Sequence, residues 1–359
     1  MANYLLAGLG FVGNYVANAL LSDPVKGNTV TAIDTKQPDY ALGAFSTVEA
    51  TNPKFNYRWV SISDPWQLRH DINTFDAIVF STAIADVPFA IPNPVATRTV
   101  NVDFSHAFFE FLHEMDYNGK IIVMSSESMY GHQPDEMLPM REDVCVPKPK
   151  DIYGASKLAQ QEFALTLYRS YGMKVTVLIS ATMYGPLSRP KQAIPIFLKQ
   201  AIMNNPITLH GDGSQTRDFN HVANTTDGIL LALKAPVNAI AGEKINIGSG
   251  QETKFSTLVS AIKLLTKSQS QVAYGPWRAG EQGIRVVLDI TKAREKLTYE
   301  PRIRLIEGLK GTAQHIAKYD LNLSPDALAE FNKNIGQNYE NPASYRGEER
   351  TVQPEAKQP

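Results

Sequence analysis

Short apolar runs alternate along this chain with longer stretches in which apolar residues return every three or four positions. Tyr4-Leu-Leu-Ala7 is the first run; it ends in glycines and reads as a buried strand. A helical pattern through Val16, Leu20 and Leu21 follows, stopped by Asp23-Pro24. Strand patterns recur at 28–34, 55–60, 76–80, 120–124 and 174–179. Val100, Phe104, Phe108 and Leu112 lie four apart and predict one long amphipathic helix over 95–115, and a second long helix spans 153–171. Strands alternating with helices predict an α/β fold built on a doubly wound parallel sheet, with ligands beyond the carboxyl ends of its strands.

After about residue 181 the texture changes. A loop rich in turn residues at 184–190 leads to a helix at 192–203, a strand at 206–210 and the turn-rich stretch Gly211-Asp-Gly-Ser-Gln-Thr-Arg-Asp218. Helices at 223–235 and 255–267 flank a strand at 244–247, and further helices fall near 290–297 and 304–319. From about Asn332 the chain is polar and poor in large apolar residues, as a flexible tail would be, or one ordered only by packing on the body.

The first glycines add chemistry to this frame. Gly8-Leu-Gly10-Phe-Val-Gly13 sits between a strand and a helix, and the next strand ends in Asp34, about twenty residues on. Glycines let the backbone approach a pyrophosphate, and the helix N-terminus offers free N–H groups. Asp34 is placed to accept from an adenosine ribose and would repel a 2′-phosphate, so the expected cofactor is NAD, held in a Rossmann-like domain. Strand, glycines, helix, strand and acid together make a far more specific signal than the glycines alone.

Asp151-Ile-Tyr-Gly-Ala-Ser-Lys157 carries a second signal. Tyr153 and Lys157 are four residues apart and share one helix face. An ammonium beside a phenol favours the phenolate, which would make Tyr153 a proton shuttle near neutral pH. Any solvated helix face could hold such a pair, so its weight comes from the rest of the chain.

Composition narrows the classes. Of 359 residues, 43% are hydrophobic and 20% charged, ordinary for a globular protein. A net charge of -1 argues against a nucleic-acid-binding surface. No apolar run approaches the ~20 residues of a membrane helix, and no secretory leader is expected. The single Cys145 permits no internal disulfide and no cysteine-based metal site, and the seven histidines show no ligand spacing, so no metal is expected. A cytoplasmic enzyme is the expectation.

With these residues assembled, the chain resembles the extended short-chain dehydrogenase/reductases, and within them the nucleotide-sugar epimerase/dehydratase family. The likeness covers roughly residues 1–318. It rests on the Gly8–Gly13 loop, Asp34, Ser125-Ser-Glu-Ser-Met-Tyr-Gly131, Tyr153-x-x-x-Lys157, Tyr184-Gly-Pro186, Gly211 to Phe219 and Asn246-Ile-Gly-Ser-Gly250. Ala7 stands where the family usually has its first glycine, Phe80-Ser-Thr-Ala83 replaces a common His-Leu-Ala-Ala, and His221-Val-Ala-Asn224 replaces a Val-x-Asp ending.

The resemblance implies that Tyr153 removes the proton from a sugar hydroxyl, usually at C4, while a hydride leaves for NAD. Lys157 would lower the tyrosine pKa and bind the nicotinamide ribose, and Ser126 would hold the reacting oxygen. It further implies NAD contacts from Gly8, Gly10, Phe11, Val12, Asp34, Ser61, Ile62, Ser81, Thr82, Ala83, Asn101, Ser125, Tyr153 and Lys157. Arg217 and Arg278 would bind the diphosphate of a nucleotide-sugar substrate, most simply a UDP-sugar, and Ser126 and Ser128 would face the sugar. The expected division is 1–181 for NAD, with part of 220–245 returning to it, 182–320 for the nucleotide sugar, and a polar tail over 321–359. The helices at 95–115 and 153–171 would pair across a homodimer.

The outcome at the sugar is less constrained. The family's 4,6-dehydratases carry Asp-Glu after the catalytic Ser/Thr, and its uronate decarboxylases carry Glu at the second place. Here those places hold Glu127 and Ser128, which leaves a 4-epimerase as the first reading. Thr182 with Arg189 seven residues on resembles the pair that holds the substrate carboxylate in uronate 4-epimerases. Glu127 fits that poorly, because two carboxylates repel; it could serve instead as acid or base for a dehydratase, decarboxylase or 3,5-type epimerase. A non-catalytic NAD-binding sensor is the alternative from another class, disfavoured by the intact Ser126, Tyr153 and Lys157.

Overall fold

The computed structural model describes residues 1–22, 27–36, 52–278 and 281–336. Seven strands form the central sheet: β1 (Asn3–Ala7), β2 (Thr29–Asp34), β3 (Phe55–Trp59), β4 (Ala77–Phe80), β5 (Lys120–Ser126), β6 (Val175–Ser180) and β7 (Lys244–Ile247). All pairings are parallel and the order is β3-β2-β1-β4-β5-β6-β7. The chain winds outward from β1 to β3, then returns past β1 to β4. The crevice between β1 and β4 is therefore the topological switch point, where such sheets bind ligands. Leu5, Leu6, Ile78, Val79, Ile121, Ile122, Val177 and Leu178 are fully or almost fully buried, as helices on both faces require. Each such aliphatic side chain contributes about 2 kcal/mol through burial.

The helices are α1 (Phe11–Leu21), α2 (Phe104–Glu114), α3 (Ile152–Tyr171), α4 (Ala193–Ile202), α5 (Val222–Lys234), α6 (Phe255–Thr266), α7 (Thr291–Leu297), α8 (Leu305–His315) and α9 (Pro325–Asn334). The long helix expected over 95–115 is interrupted. Pro94–Arg98 is helical, Thr99–Asp103 widens into a π-turn, and α2 follows. The apolar period runs through that turn, so the pattern alone does not reveal the extra residue. The Asp23-Pro24 stop lies outside the described residues; Ser22 caps α1 by donating its backbone N–H to Asn18 O at 2.9 Å.

A second hydrophobic cluster forms from Ile194, Phe197, Leu198, Ile207, Leu209, Phe219, Leu258, Ile262, Leu265, Leu309 and Ala313. The sheet's own cluster recruits Ile229 and Ala232 of α5, Ile245 and Ile247 of β7, and Leu288, Ile290, Ala293 and Leu297. Val272–Gly275, whose central Ala273 and Tyr274 are exposed, pairs in parallel with Ile207–His210. Four other short strands form two further pairs: Thr182–Tyr184 with Phe219–His221, and Thr216–Arg217 with Thr253–Lys254. The segment after 320, polar by composition, continues into α9, whose Ser324 side chain caps Ala327 N at 3.3 Å. Ile335 is buried in the second cluster and Gly336 N donates to Leu265 O at 3.1 Å. Packing on the body orders those residues; 337–359 lie outside the described residues.

Candidate active site

The glycine loop occupies the switch point. Gly8 has φ +106°, and a Cβ there would lie 3.0 Å from both Thr82 N and Oγ1. A Cβ on Gly13 would lie 2.0 Å from Gly8 O, so only glycine lets α1 start this close to β1. At Gly10, the N-cap of α1, a Cβ would meet nothing within 4 Å, which leaves open approach to the helix N-terminus. Asp34 ends β2 and accepts from Leu9 N at 2.8 Å and Lys36 N at 3.1 Å, which fixes its carboxylate against the loop. Ser81 N donates to Ala7 O at 2.9 Å and Ser81 Oγ to Gly8 O at 3.2 Å. Thr82 and Ala83 continue from the end of β4, and Ser61 and Ile62 follow β3. Asn101 Oδ1 accepts from Ile84 N at 2.7 Å, tying the π-turn to the loop beyond β4. Ser125 Oγ, at the end of β5, is buried with no hydrogen-bond partner among the described residues. A cramped glycine turn, an open helix N-terminus, a fixed acid and an orphaned hydroxyl along one crevice fit a dinucleotide.

β5 then delivers Ser126, and α3 delivers Tyr153 and Lys157. Asp151 starts α3 by accepting from Gly154 N at 2.8 Å, and Gly172 with φ 70° ends it. The Tyr153 phenol lies within the influence of the Ser126 hydroxyl, which favours its ionised form. Ser126 Oγ lies 3.3 Å from Glu127 Oε2 and 3.2 Å from Ser128 Oγ. Thr182 Oγ1 donates to Glu127 Oε1 at 2.8 Å. Ser126, Glu127, Tyr153 and Thr182 therefore form one cluster at the ends of β5 and β6.

Burial pushes the Tyr153 phenol up to about 12, offset by the Ser126 hydroxyl and by Arg189. In the ligand-free chain the Lys157 ammonium donates to Met124 O at 2.7 Å and to Gln160 Oε1. Burial lowers Lys157 to about 7. Burial raises Glu127 to about 7, offset by the Thr182 hydrogen bond and the Arg217 guanidinium.

The two arginines expected at the diphosphate are treated differently by the fold. Arg217 is half-buried, donates to Thr216 O at 2.7 Å and pairs with Glu281 at 3.4 Å. Arg278 lies exposed on the 276–278 loop. Neighbouring Asp218 is fully buried and accepts from Ser249 N at 2.8 Å and Gly250 N at 3.1 Å, which pins the turn after β7. Three groups were not anticipated. Glu281 pairs with Arg217, and Lys150 lies in the field of both. Gln160 meets Lys157, a contact its spacing three residues further along the same face could have announced.

Residues 4–248 match the model of the NAD dependent epimerase/dehydratase family. The chain belongs to that family. A putative UDP-glucose 4-epimerase of Methanocaldococcus jannaschii is 30% identical over 308 residues, covering 84% of this chain and 94% of the relative. The crystal structure of the Thermotoga maritima UDP-glucose 4-epimerase with UDP-glucose aligns with a TM-score of 0.77 at 27% identity, over 88% of this chain and 99% of that one. A Bacillus cereus UDP-glucuronic acid 4-epimerase in complex with UDP-glucuronic acid and NAD aligns with a TM-score of 0.78 at 26% identity, over 88% and 99%. This family member thus has an NAD-dependent enzyme's fold, with the expected Ser126, Tyr153 and Lys157 at the carboxyl ends of its central strands and on the helix beside them.

Proposed function

We propose that this chain is an NAD-dependent nucleotide-sugar 4-epimerase acting on a neutral UDP-hexose through a transient 4-keto sugar. The observation that carries the reading is the placement of Tyr153, at the start of α3, beside Ser126, at the end of β5, beyond the switch-point crevice. Gly8, Gly10, Phe11, Val12 and Asp34 would hold the adenosine and pyrophosphate side of NAD, with Ser61, Ile62 and Ser81 to Ala83 lining the path. Bound NAD would supply the acceptor that takes the C4 hydrogen and hands it back. Tyr153 Oη removes the proton of the C4 hydroxyl and later returns it, and Ser126 Oγ holds the same oxygen. Lys157 and Arg189 are cations able to draw the phenol down from its buried value. Arg217 would meet the diphosphate once released from Glu281, and Arg278 would close on it from the exposed loop.

Glu127 favours a neutral hexose over a uronate. Its carboxylate already takes the Thr182 hydroxyl, the donor that the family resemblance assigns to a substrate carboxylate. A second carboxylate there would require Glu127 to hold its proton, at a cost that grows as pH rises above about 7.

The test is incubation of the protein and NAD with UDP-, GDP- and dTDP-sugars, with products followed by NMR. Conversion of UDP-glucose to its 4-epimer supports the reading. A product lighter by water or CO2 makes Glu127 an acid or base of a dehydratase or decarboxylase, and no turnover with NAD bound makes the chain a sensor.

A homodimer through α2 and α3 goes with this reading. Phe163, Tyr168 and Tyr171 of α3 are exposed, and Tyr171 stacks on His113 of α2 with ring centroids 3.8 Å apart. Among the described residues no helix is long and apolar enough to cross a membrane. A cytoplasmic location suits the free, buried thiol of Cys145.

A further inference from the structure

We propose that Gln160 is a positioning residue for the reaction: it fixes the Lys157 ammonium and ties it to the π-turn and to the loop beyond β4. Gln160 lies one turn after Lys157 on α3 and is fully buried. Its Oε1 accepts from Lys157 Nζ. Its Nε2 donates to Ser105 Oγ at 2.8 Å and Asn101 O at 3.1 Å, and lies 3.4 Å from Thr82 O. That arrangement fixes which end of the amide is which. Turning it over would set an NH2 against an ammonium and an oxygen against two carbonyls that can only accept.

A second buried amide completes the device. Asn101 sits in the π-turn Thr99–Asp103 and is fully buried. Its Nδ2 donates to Ser156 Oγ at 2.9 Å and to Ile84 O at 3.0 Å, while Oδ1 takes Ile84 N. Ser156 Oγ in turn donates to Tyr153 O at 2.7 Å. The Tyr153–Lys157 turn is thus held on one side through Ser156 and Asn101, and on the other through Lys157 and Gln160. Both ties end in the segment 82–105. A π-turn admits an extra residue into the helix, a feature that recurs at functional sites. Here it carries Asn101, whose side chain and carbonyl both face α3.

The chemistry explains why a glutamine serves. The acceptors of the buried ammonium are both neutral, Met124 O from β5 and Gln160 Oε1. No charge faces it from the packed elements among the described residues: α2 and the π-turn present Ser105 and Asn101, and the β4 loop presents Thr82. Gln160 therefore holds the ammonium in place without neutralising it, leaving its charge to act on Tyr153 and on a bound ribose. A carboxylate at this position would take that charge for itself.

The proposal rests on the epimerase reading only for the role of Lys157, and the experiment separates the two. Lysine labelled with carbon-13 at Cε, assigned with Lys157→Met, gives the Lys157 titration directly in the cofactor-free protein. In the wild type the midpoint is expected at about 7. Gln160→Leu removes an acceptor of the charged form and is expected to lower it by roughly one unit, whereas Gln160→Glu is expected to raise it by roughly one unit or more. The alkaline limb of the turnover profile is expected to move in the same two directions, and NAD affinity to fall in Gln160→Leu. If Gln160→Leu does not fold, Ser105→Ala, which frees the Nε2 end, is expected to broaden and shift the Lys157 signal. Variants that lose thermal stability but leave the Lys157 midpoint and the pH profile unmoved would make Gln160 mere core filling and overturn the proposal. The expected midpoint shifts without turnover on any nucleotide sugar would strike the epimerase reading and leave this one standing.

Discussion

Thr182 gives its hydroxyl hydrogen to Glu127, with Oγ1 2.8 Å from Oε1. A carboxylate of the chain itself thus takes up the Thr182 hydroxyl. The other carboxylate oxygen lies 3.3 Å from Ser126 Oγ, so Glu127 bridges the site from β5 to the segment after β6.

Substrate choice follows from that bridge. At pH 8, about one unit above the Glu127 value of about 7, keeping Glu127 protonated beside a uronate costs about 1.4 kcal/mol. The wild type is therefore expected to turn over UDP-glucose about tenfold more efficiently than UDP-glucuronate at that pH. Glu127→Gln keeps the shape and removes the charge, and is expected to narrow the ratio of the two kcat/KM values. An unchanged ratio would remove Glu127 from specificity.

Glu127 also predicts a pH dependence of stability. Its carboxyl is raised from 4.5 to about 7 on folding. Between those values the native state holds a proton that the unfolded chain has lost, so this group favours folding fully below 4.5 and loses that contribution as pH rises through about 7. Thermal midpoints of Glu127→Gln and wild type should therefore be closest near pH 4.5, with the variant gaining as pH rises toward 8. A difference flat across that range would contradict the raised value.

The phenol is the next test. With Tyr153 at about 12 in the ligand-free chain, the difference spectrum between wild type and Tyr153→Phe should show no phenolate from this residue at pH 9. Added NAD brings a positively charged ring and should move that ionisation downward. Tyr153→Phe is expected to cost ~10²–10⁴ in turnover while NAD still binds, measured by steady-state kinetics and calorimetry.

Asp218 is a structural acid rather than a reacting one. It is fully buried and accepts from two backbone N–H groups of the turn after β7. Asp218→Ala strands those donors and should cost roughly 2–4 kcal/mol in chemical denaturation. A loss below about 0.5 kcal/mol would mean that the turn holds without it.

Much of this was legible in the residues. β1, β2 and the glycine loop follow from a run, a motif and an acid at the right distance, because buried parallel strands and pyrophosphate-binding turns leave strong local patterns. The pair Tyr153 and Lys157 was readable for the same reason. What Lys157 touches was not, since Met124 O and Gln160 Oε1 are brought to it by tertiary packing. The break at Thr99–Asp103 was hidden because Val100 and Phe104 keep a helical period across the π-turn. The ties of Arg217 to Glu281 and of Glu127 to Thr182 join residues 64 and 55 positions apart, beyond the reach of any local pattern. The helix α9 was obscured by its polar face, with Phe331 and Ile335 too sparse to announce it.

The central claim is that the sugar's C4 hydrogen leaves and returns to the same carbon on the opposite face. UDP-glucose carrying deuterium at C4, incubated with the protein and NAD in ordinary water, tests it most directly. The account predicts a 4-epimer that keeps the deuterium at C4 and gains no label elsewhere on the ring. A product in which solvent hydrogen has replaced the label at C4, or in which C3 or C5 has inverted instead, would contradict it.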